Sequence, residues 1–431
     1  MARKMKDSGI EWIGKIPEGW EVHRVKTHFT IISGSGFKPE LQGQSTGDFP
    51  VCKASDISSS GHYLHTSANY ITSDIVKSQH FSIIPKGSIL FAKIGEAMRK
   101  NNRSLCSHDC CVDNNCQGLV PKNISSEFSY YLFTCIDMTW FDNAGTIPCI
   151  NNQKLYDCRI PFPSYDEQLL ISNHLNFQCA KINEILFHIR SSIEEYKKLK
   201  QAVITQAVTK GVRGKREMKD SGVEWIGEIP KKWVIQKIKS ISSRINVGVV
   251  IRPSEYFDEN GTVPFLRGIN LKEYLISSDN MLYINESSNR ILSKSQVHTD
   301  DILIVRDGSI GTSCVVPAEF DGANVVSMVI ATPLISCDSR FICYSLNSDV
   351  GKTQFTLTKI GSALTHTSVS AVSDIIVAVP SCAEQKEIAD YLDAKCTEID
   401  GLIAKKEQLV KELESYKKSL IYEVVTGKRE V

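Results

Sequence analysis

Along two stretches of this 431-residue chain, apolar residues recur every three or four positions: Ile182, Ile185, Ile189, Tyr196, Leu199 and Val203, then Ile399, Leu402, Leu409, Leu413, Tyr416 and Leu420. That period lines one face of an α-helix and predicts two long amphipathic helices. Each is preceded by a proline and a Ser-x-x-Glu pattern, Ser164 to Glu167 and Ser381 to Glu384. Such a capping box satisfies the free amides of a first helical turn. Gly211 and Gly427 follow as stops. Elsewhere the pattern changes to short β-branched runs bounded by Gly, Pro, Asn or Asp. Ser88 to Lys93, Asp301 to Arg306 and Ile375 to Val379 are predicted strands.

The chain is written twice. KDSGIEWIGKIPEGW begins at Lys6 and KDSGVEWIGEIPKKW at Lys219, with ten or more identities. PSYDEQLLISNHL from Pro163 returns as PSCAEQKEIADYL from Pro380, and GKRE stands at Gly214 to Glu217 and again at Gly427 to Glu430. Between these frames lie two inserts, 21–162 and 234–379, which share only a skeleton. Phe49 to Lys53 parallels Val263 to Arg267, and Ile89 to Gly95 parallels Ile302 to Gly308. Near-constant frames around divergent inserts imply one shared task for the frames and two different ones for the inserts. The predicted organisation is a repeated frame (1–20), an insert domain (21–162), a long-helix region (163–211), a linker with the second frame (212–233), a second insert domain (234–379) and a second long-helix region (380–431).

The fold class expected is mixed α/β. Each apolar stripe needs a partner, and the other copy supplies one. A pseudo-two-fold internal repeat makes the long helices an antiparallel pair with one insert domain at each end. About 29 residues, Ala180 to Val208, rise roughly 43 Å, a little more than one turn of B-DNA, about 34–36 Å.

Composition narrows the class. With 42% hydrophobic and 23% charged residues the chain is of globular type. It has no apolar run of the roughly 20 residues that span a bilayer and no secretory signal at its start, so no membrane role and a cytoplasmic location are expected. The fourteen cysteines are then expected as free thiols. Cys106 to Cys116 packs four cysteines with His108, but its spacing matches no paired-ligand metal motif, and no metal site is assigned. The net charge of +1 confines any nucleic-acid surface to local patches.

Base edges are read by directed donors and acceptors, and phosphates by any cation. Lys53 and Arg267 occupy equivalent places after a proline-led strand, and Lys93 and Arg306 equivalent places before a glycine. Arg99, Lys100 and Arg103, with Asn101 and Asn102 between them, form a cation-and-amide run predicted to be a loop suited to a groove. These seven residues are the DNA-binding candidates. Each has a second reading as a solvated charge or an internal ion pair. No catalytic residue is assigned: the sequence has no N/D-P-P-Y/F tetrad of a methyltransferase and no P-loop, and Gly34-Ser35-Gly36 is a lone G-x-G of the kind that marks turns. A coiled-coil adaptor that binds proteins and no DNA is the alternative, against which the divergence of the inserts counts.

The two KDSG(I/V)EWIG(K/E)IP segments, the two P-S-x-x-E-Q helix starts and the two YKK-containing helices together resemble the specificity (S) subunit of type I restriction-modification systems, over essentially the whole chain. The resemblance implies two target-recognition domains reading a bipartite double-stranded DNA site, and long helices that set the spacer and, with the frames, dock two modification (M) subunits. It also implies that S-adenosylmethionine-dependent adenine methylation and the ATP- and Mg²⁺-dependent cleavage belong to M and restriction (R) subunits, leaving this chain without cofactor or catalysis. Half-site centres about 10 to 12 base pairs apart follow from the helix length.

Overall fold

The computed structural model describes residues 3–143, 145–357 and 366–431. The chain forms two compact units, Met1–Ile189 with Gln408–Val431, and Arg190–Glu407. Each unit contains one frame. In KDSG the aspartate accepts the amide of the glycine two residues on, Asp7 from Gly9 and Asp220 from Gly222, at 2.9 Å each. The serine hydroxyl then accepts from Ile10 (3.0 Å) or Val223 (3.1 Å). These local bonds shape the turns of two hairpins, Met5–Ile10 with Gly14–Pro17 and Met218–Asp220 with Glu228–Pro230. The tryptophan that closes both frames, Trp20 in one and Trp233 in the other, is buried.

The ends of each insert pair with one another. Glu21–Arg24 runs antiparallel to Arg159–Phe162, and Val234–Lys237 to Ile376–Val379. Inside this neck the two inserts share a strand order that their sequences hardly show. In the first, Phe29–Ser33, Cys116–Pro121, Ile89–Ala92 and Arg103–Cys106 lie side by side, followed by Tyr63–Leu64. In the second the order is Ser242–Val247, Met328–Pro333, Ile302–Val305 and Ser313–Val315. Ile89–Ala92 and Ile302–Val305 are buried along their whole length, so they read as continuous apolar runs without alternation. A smaller three-stranded sheet, centred on Phe49–Cys52 or Val263–Leu266, stands beside each.

The long helices are Tyr165–Lys210 and Cys382–Val425, and the boundary between the units falls within both. Both stop where expected, before Gly211 (φ 76°) and Gly427 (φ 71°). In the first unit Lys417 bonds Asn183 at 2.7 Å, while Glu167 and Gly427 both adjoin Trp20; the two helical segments are therefore antiparallel. In the second unit Lys200 pairs with Asp400, Lys406 lies over Tyr196, and Gly211 and Glu384 both adjoin Arg216, giving the same sense. The buried seam differs from the predicted stripe. It keeps Ile182, Ile399 and Leu420 of that stripe but runs on through Leu175, Cys179, Leu186 and Ile193, whereas Ile185 (47%), Leu199 (49%), Leu409 (43%) and Tyr416 (50%) stay exposed.

The capping boxes are also only half as predicted. Ser164 accepts the Glu167 amide at 3.3 Å, but the Glu167 carboxylate is taken by Trp20 Nε1 (2.8 Å) and by Arg3. In the second copy Glu384 pairs with Arg216, whose guanidinium lies over Trp233. The next residue of the motif fastens the insert to the frame. Gln168 donates to Pro163 O (3.0 Å) and accepts from the amide of Ser125 (2.9 Å). Gln385 donates to Pro380 O (3.1 Å) and accepts from the amide of Asp338 (2.9 Å). Ser125 and Asp338 are the N-caps of the matching helices Ser126–Thr134 and Ser339–Asn347. Later in those helices Tyr131 and Tyr344 reach the long helices at Asn176 (2.7 Å) and Asp393 (2.8 Å).

Candidate nucleic-acid interface

The equivalent cations sit at equivalent points of the two inserts. Lys53 and Arg267 each follow the central strand of the small sheet, with their backbone amides capped three residues on by Asp56 (2.7 Å) and Asn270 (3.0 Å). Lys53 Nζ donates to Gln42 at 2.7 Å and lies over the Phe37 ring; Arg267 Nη2 donates to Asn280 O at 2.5 Å. Lys93 and Arg306 each follow the buried strand of the larger sheet. Each exchanges a backbone bond with a distant loop, Ile150 N to Lys93 O (2.9 Å) and Thr367 N to Arg306 O (3.1 Å). Arg306 Nε also donates to Thr367 O at 3.1 Å. Gly95 and Gly308 then turn the chain with left-handed φ of 71° and 77°.

The Arg99–Arg103 run is not one loop. Arg99 ends the short helix Gly95–Arg99, is exposed and lies 3.6 Å from Glu96. Lys100 is exposed at that helix's C-cap. Arg103 begins the strand Arg103–Cys106 and is 6% exposed, donating to Ile136 O and to Asn101 Oδ1 (2.8 Å). Burial pushes its pKa down to about 10. Its partners are internal, so the structure places it in the scaffold and not on a surface.

Around Lys93 the structure gathers side chains that sequence spacing does not. Lys93 N donates to Asn115 O at 2.8 Å, while Asn151 N donates to Phe141 O (2.7 Å) and Asn143 N to Cys149 O (2.9 Å). Asn151 Nδ2 donates to Asn143 Oδ1 at 2.9 Å, and Gln117 Nε2 to Asn152 Oδ1 at 3.2 Å. The run Asn151-Asn152-Gln153 was the available sequence signal, since amides are the residues that read adenine. At the same place the second insert carries Asp307, joined to His366 by a backbone bridge, Ser327 bonded to Asp307 (2.9 Å), and Ser368. The four cysteines between Cys106 and Cys116 are all buried, at the end of one strand, in the short strand Cys111–Val112 and its flanking bridge, and at the start of a third strand. Burial pushes the Cys111 thiol up to about 11 and holds Cys116 above its ordinary value, so both stay protonated and weak as ligands. Among the described residues no group of three or more His, Cys, Asp or Glu is arranged to hold a metal, and no helix is long and apolar enough to cross a membrane.

Comparison with known proteins agrees with this architecture. The type I restriction modification DNA specificity domain matches residues 17–201 and again 230–412. Each match takes in the end of a frame, an insert and most of a long helix. The MjaIX specificity subunit of Methanocaldococcus jannaschii is 23% identical over 387 residues, covering 85% of this chain and 84% of its own. The MjaVIII specificity subunit of the same organism is 24% identical over 429 residues, 96% and 94%. A chain from a solved type I R-M system superposes with a TM-score of 0.71 at 15% identity, covering 96% of this chain and 99% of that one. With both halves matched in the order in which the repeats and strands occur, this chain belongs to the type I restriction modification DNA specificity family.

Proposed function

We propose that this chain chooses the DNA site of a type I restriction-modification complex and performs no chemistry itself. Each unit reads one half of a bipartite duplex target. Two M subunits, carrying S-adenosylmethionine, methylate adenine there, and R subunits with ATP and Mg²⁺ cleave unmodified DNA; the complex works in the cytoplasm. The observation that carries this reading is that the two inserts keep one strand order and one turn, with a cation before it, while the side chains around that turn differ. A shared docking geometry with two different recognition surfaces is what a split target requires. Lys53, Lys93, Arg99, Lys100, Arg267 and Arg306 remain the contacts proposed for DNA; Arg103 is left out. The family match counts against the adaptor reading.

The test is to sequence the methylome of cells expressing this chain with its M subunit, and of cells lacking this chain alone. A split methyladenine motif that vanishes on deletion supports the reading; an unchanged methylome overturns it. In the same assay, a four-residue insertion in the first long helix shifts the preferred spacer and leaves both half-sites as they were, if the helices set the spacing.

A further inference from the structure

The loop that meets Lys93 holds one amide in a fixed plane and presents it outward. Asn151 caps the helix Asn152–Asp157, its Oδ1 accepting from Gln153 N (2.9 Å) and Lys154 N (3.1 Å). With that oxygen committed, Nδ2 must be the atom that donates to Asn143, so Asn143 must receive the bond on Oδ1. The two atoms of the Asn143 amide are thereby assigned: Oδ1 meets Asn151, and Nδ2 is the remaining donor of an exposed side chain. The loop beneath it is pinned, because Asp142 Oδ1 accepts from Cys149 N (2.8 Å) and Lys154 Nζ donates to Asp142 O (2.8 Å). Asn143 is exposed, and four residues on in the chain Ile147 is 66% exposed.

We propose that Asn143 reads the adenine of an A·T pair in one half of the target, at a position other than the methylated base, with Asn151 as the positioning residue. An amide that offers one donor and one acceptor side by side matches N7 and N6 of adenine in the major groove, and the exposed aliphatic side chain of Ile147 in the same loop suits the thymine methyl of A·T pairs. Lys93, joined to the same loop through Ile150, supplies a cation for the backbone. At the corresponding helix of the second insert the cap is Ser368, whose hydroxyl accepts from Ala371 N at 3.0 Å, so the capping residue there carries no amide to orient a neighbour.

This rests on the DNA-reading role proposed above, and the experiment separates the two. The full chain is expressed with its M subunit and the methylome is sequenced. Asn143→Ala is expected to relax one A·T position of one half-site, with about a tenfold or greater loss of discrimination there and no change in the other half. Asn151→Ser keeps the helix cap and removes the orienting donor, so it relaxes the same position to a smaller degree. Asn143→Arg moves the preference at that position toward guanine. An unchanged motif with Asn143→Ala and Asn143→Arg, or a uniform fall in methylation with every base preference retained, overturns the inference. Loss of the motif's dependence on this chain altogether would instead overturn the DNA-reading role.

Discussion

Removing the side chain of Gln168 tests whether the second letter of the repeated Glu-Gln pair does what its hydrogen bonds imply. Gln168 is 0% exposed and joins three backbone segments: its own helix, Pro163 O and the amide of Ser125. In Gln168→Ala two hydrogen bonds vanish and two buried backbone groups lose a partner. Net hydrogen bonds contribute about 0.5–1.5 kcal/mol each, and an orphaned buried group costs about 1–3 kcal/mol. Water entering the vacated space offsets part of this, leaving about 2–4 kcal/mol. At 1.4 kcal/mol per factor of ten, amides that exchange through opening of the Ser126–Thr134 helix should exchange roughly 30- to 700-fold faster. Hydrogen exchange read by mass spectrometry follows this in the intact chain, without assuming one cooperative transition for two units. Gln385→Ala should repeat the effect at Ser339–Asn347. A change under threefold in both helices, or equal acceleration in both from either single variant, would refute the assignment.

Other consequences are as direct. Gly211→Ala and Gly427→Ala both place a side chain at left-handed φ, costing about 1–2 kcal/mol. A Cβ at Gly211 meets the movable Arg216 guanidinium, but at Gly427 it meets the Pro17 ring at 2.4 Å, so Gly427→Ala should lower the urea midpoint further. His28, buried and packed against both His23 and Phe162, which also stack on each other, has its pKa held below the ordinary value first by burial and then by the neighbouring His23, against a backbone bond at Lys122. The unfolded chain therefore takes up the proton first: stability is present above about pH 6.5 and is lost as pH falls below it. His23 also bonds Glu21 (2.7 Å), and the nearby strand and helix ends carry the exposed trio Arg24, Lys26 and Asp157. Denaturation between pH 7 and 5 should show the loss, and His28→Gln should flatten it. Arg103→Ala should cost about 2–4 kcal/mol in urea unfolding by leaving Ile136 O without its charged donor, and should leave the base preferences of the folded protein unchanged; altered preferences would return Arg103 to the reading surface.

Much of the architecture was legible because repeats and periodicity are local properties. The strand at Ile89–Ala92, its counterpart at Ile302–Val305 and the helix stops at Gly211 and Gly427 needed only neighbours in sequence. What failed depended on partners far along the chain. Between residues 182 and 189 lie five large apolar side chains, Ile182, Ile185, Leu186, Phe187 and Ile189. Two stripes fit them equally, and only the facing helix selects Leu186 over Ile185. The burial of Arg103 turns on a carbonyl 33 residues away, and the cluster at Lys93 joins residues from 93 to 152. Glu167 fits a capping box by spacing alone; the tryptophan and arginine that claim it arrive from the frame.

The way the glutamine grips each insert has a consequence for how such proteins diversify. Gln168 and Gln385 hold their inserts by a main-chain amide, at Ser125 in one and Asp338 in the other. A bond to backbone does not care which residue supplies it, and the paired strands at the neck are likewise held through their ladders. Any sequence able to start a helix at that point and close that neck can be inherited whole, by recombination or by graft, without a compensating change in the rest of the chain. The clasp is thus a standard fitting, and selection can vary what it carries while keeping the fitting itself unaltered.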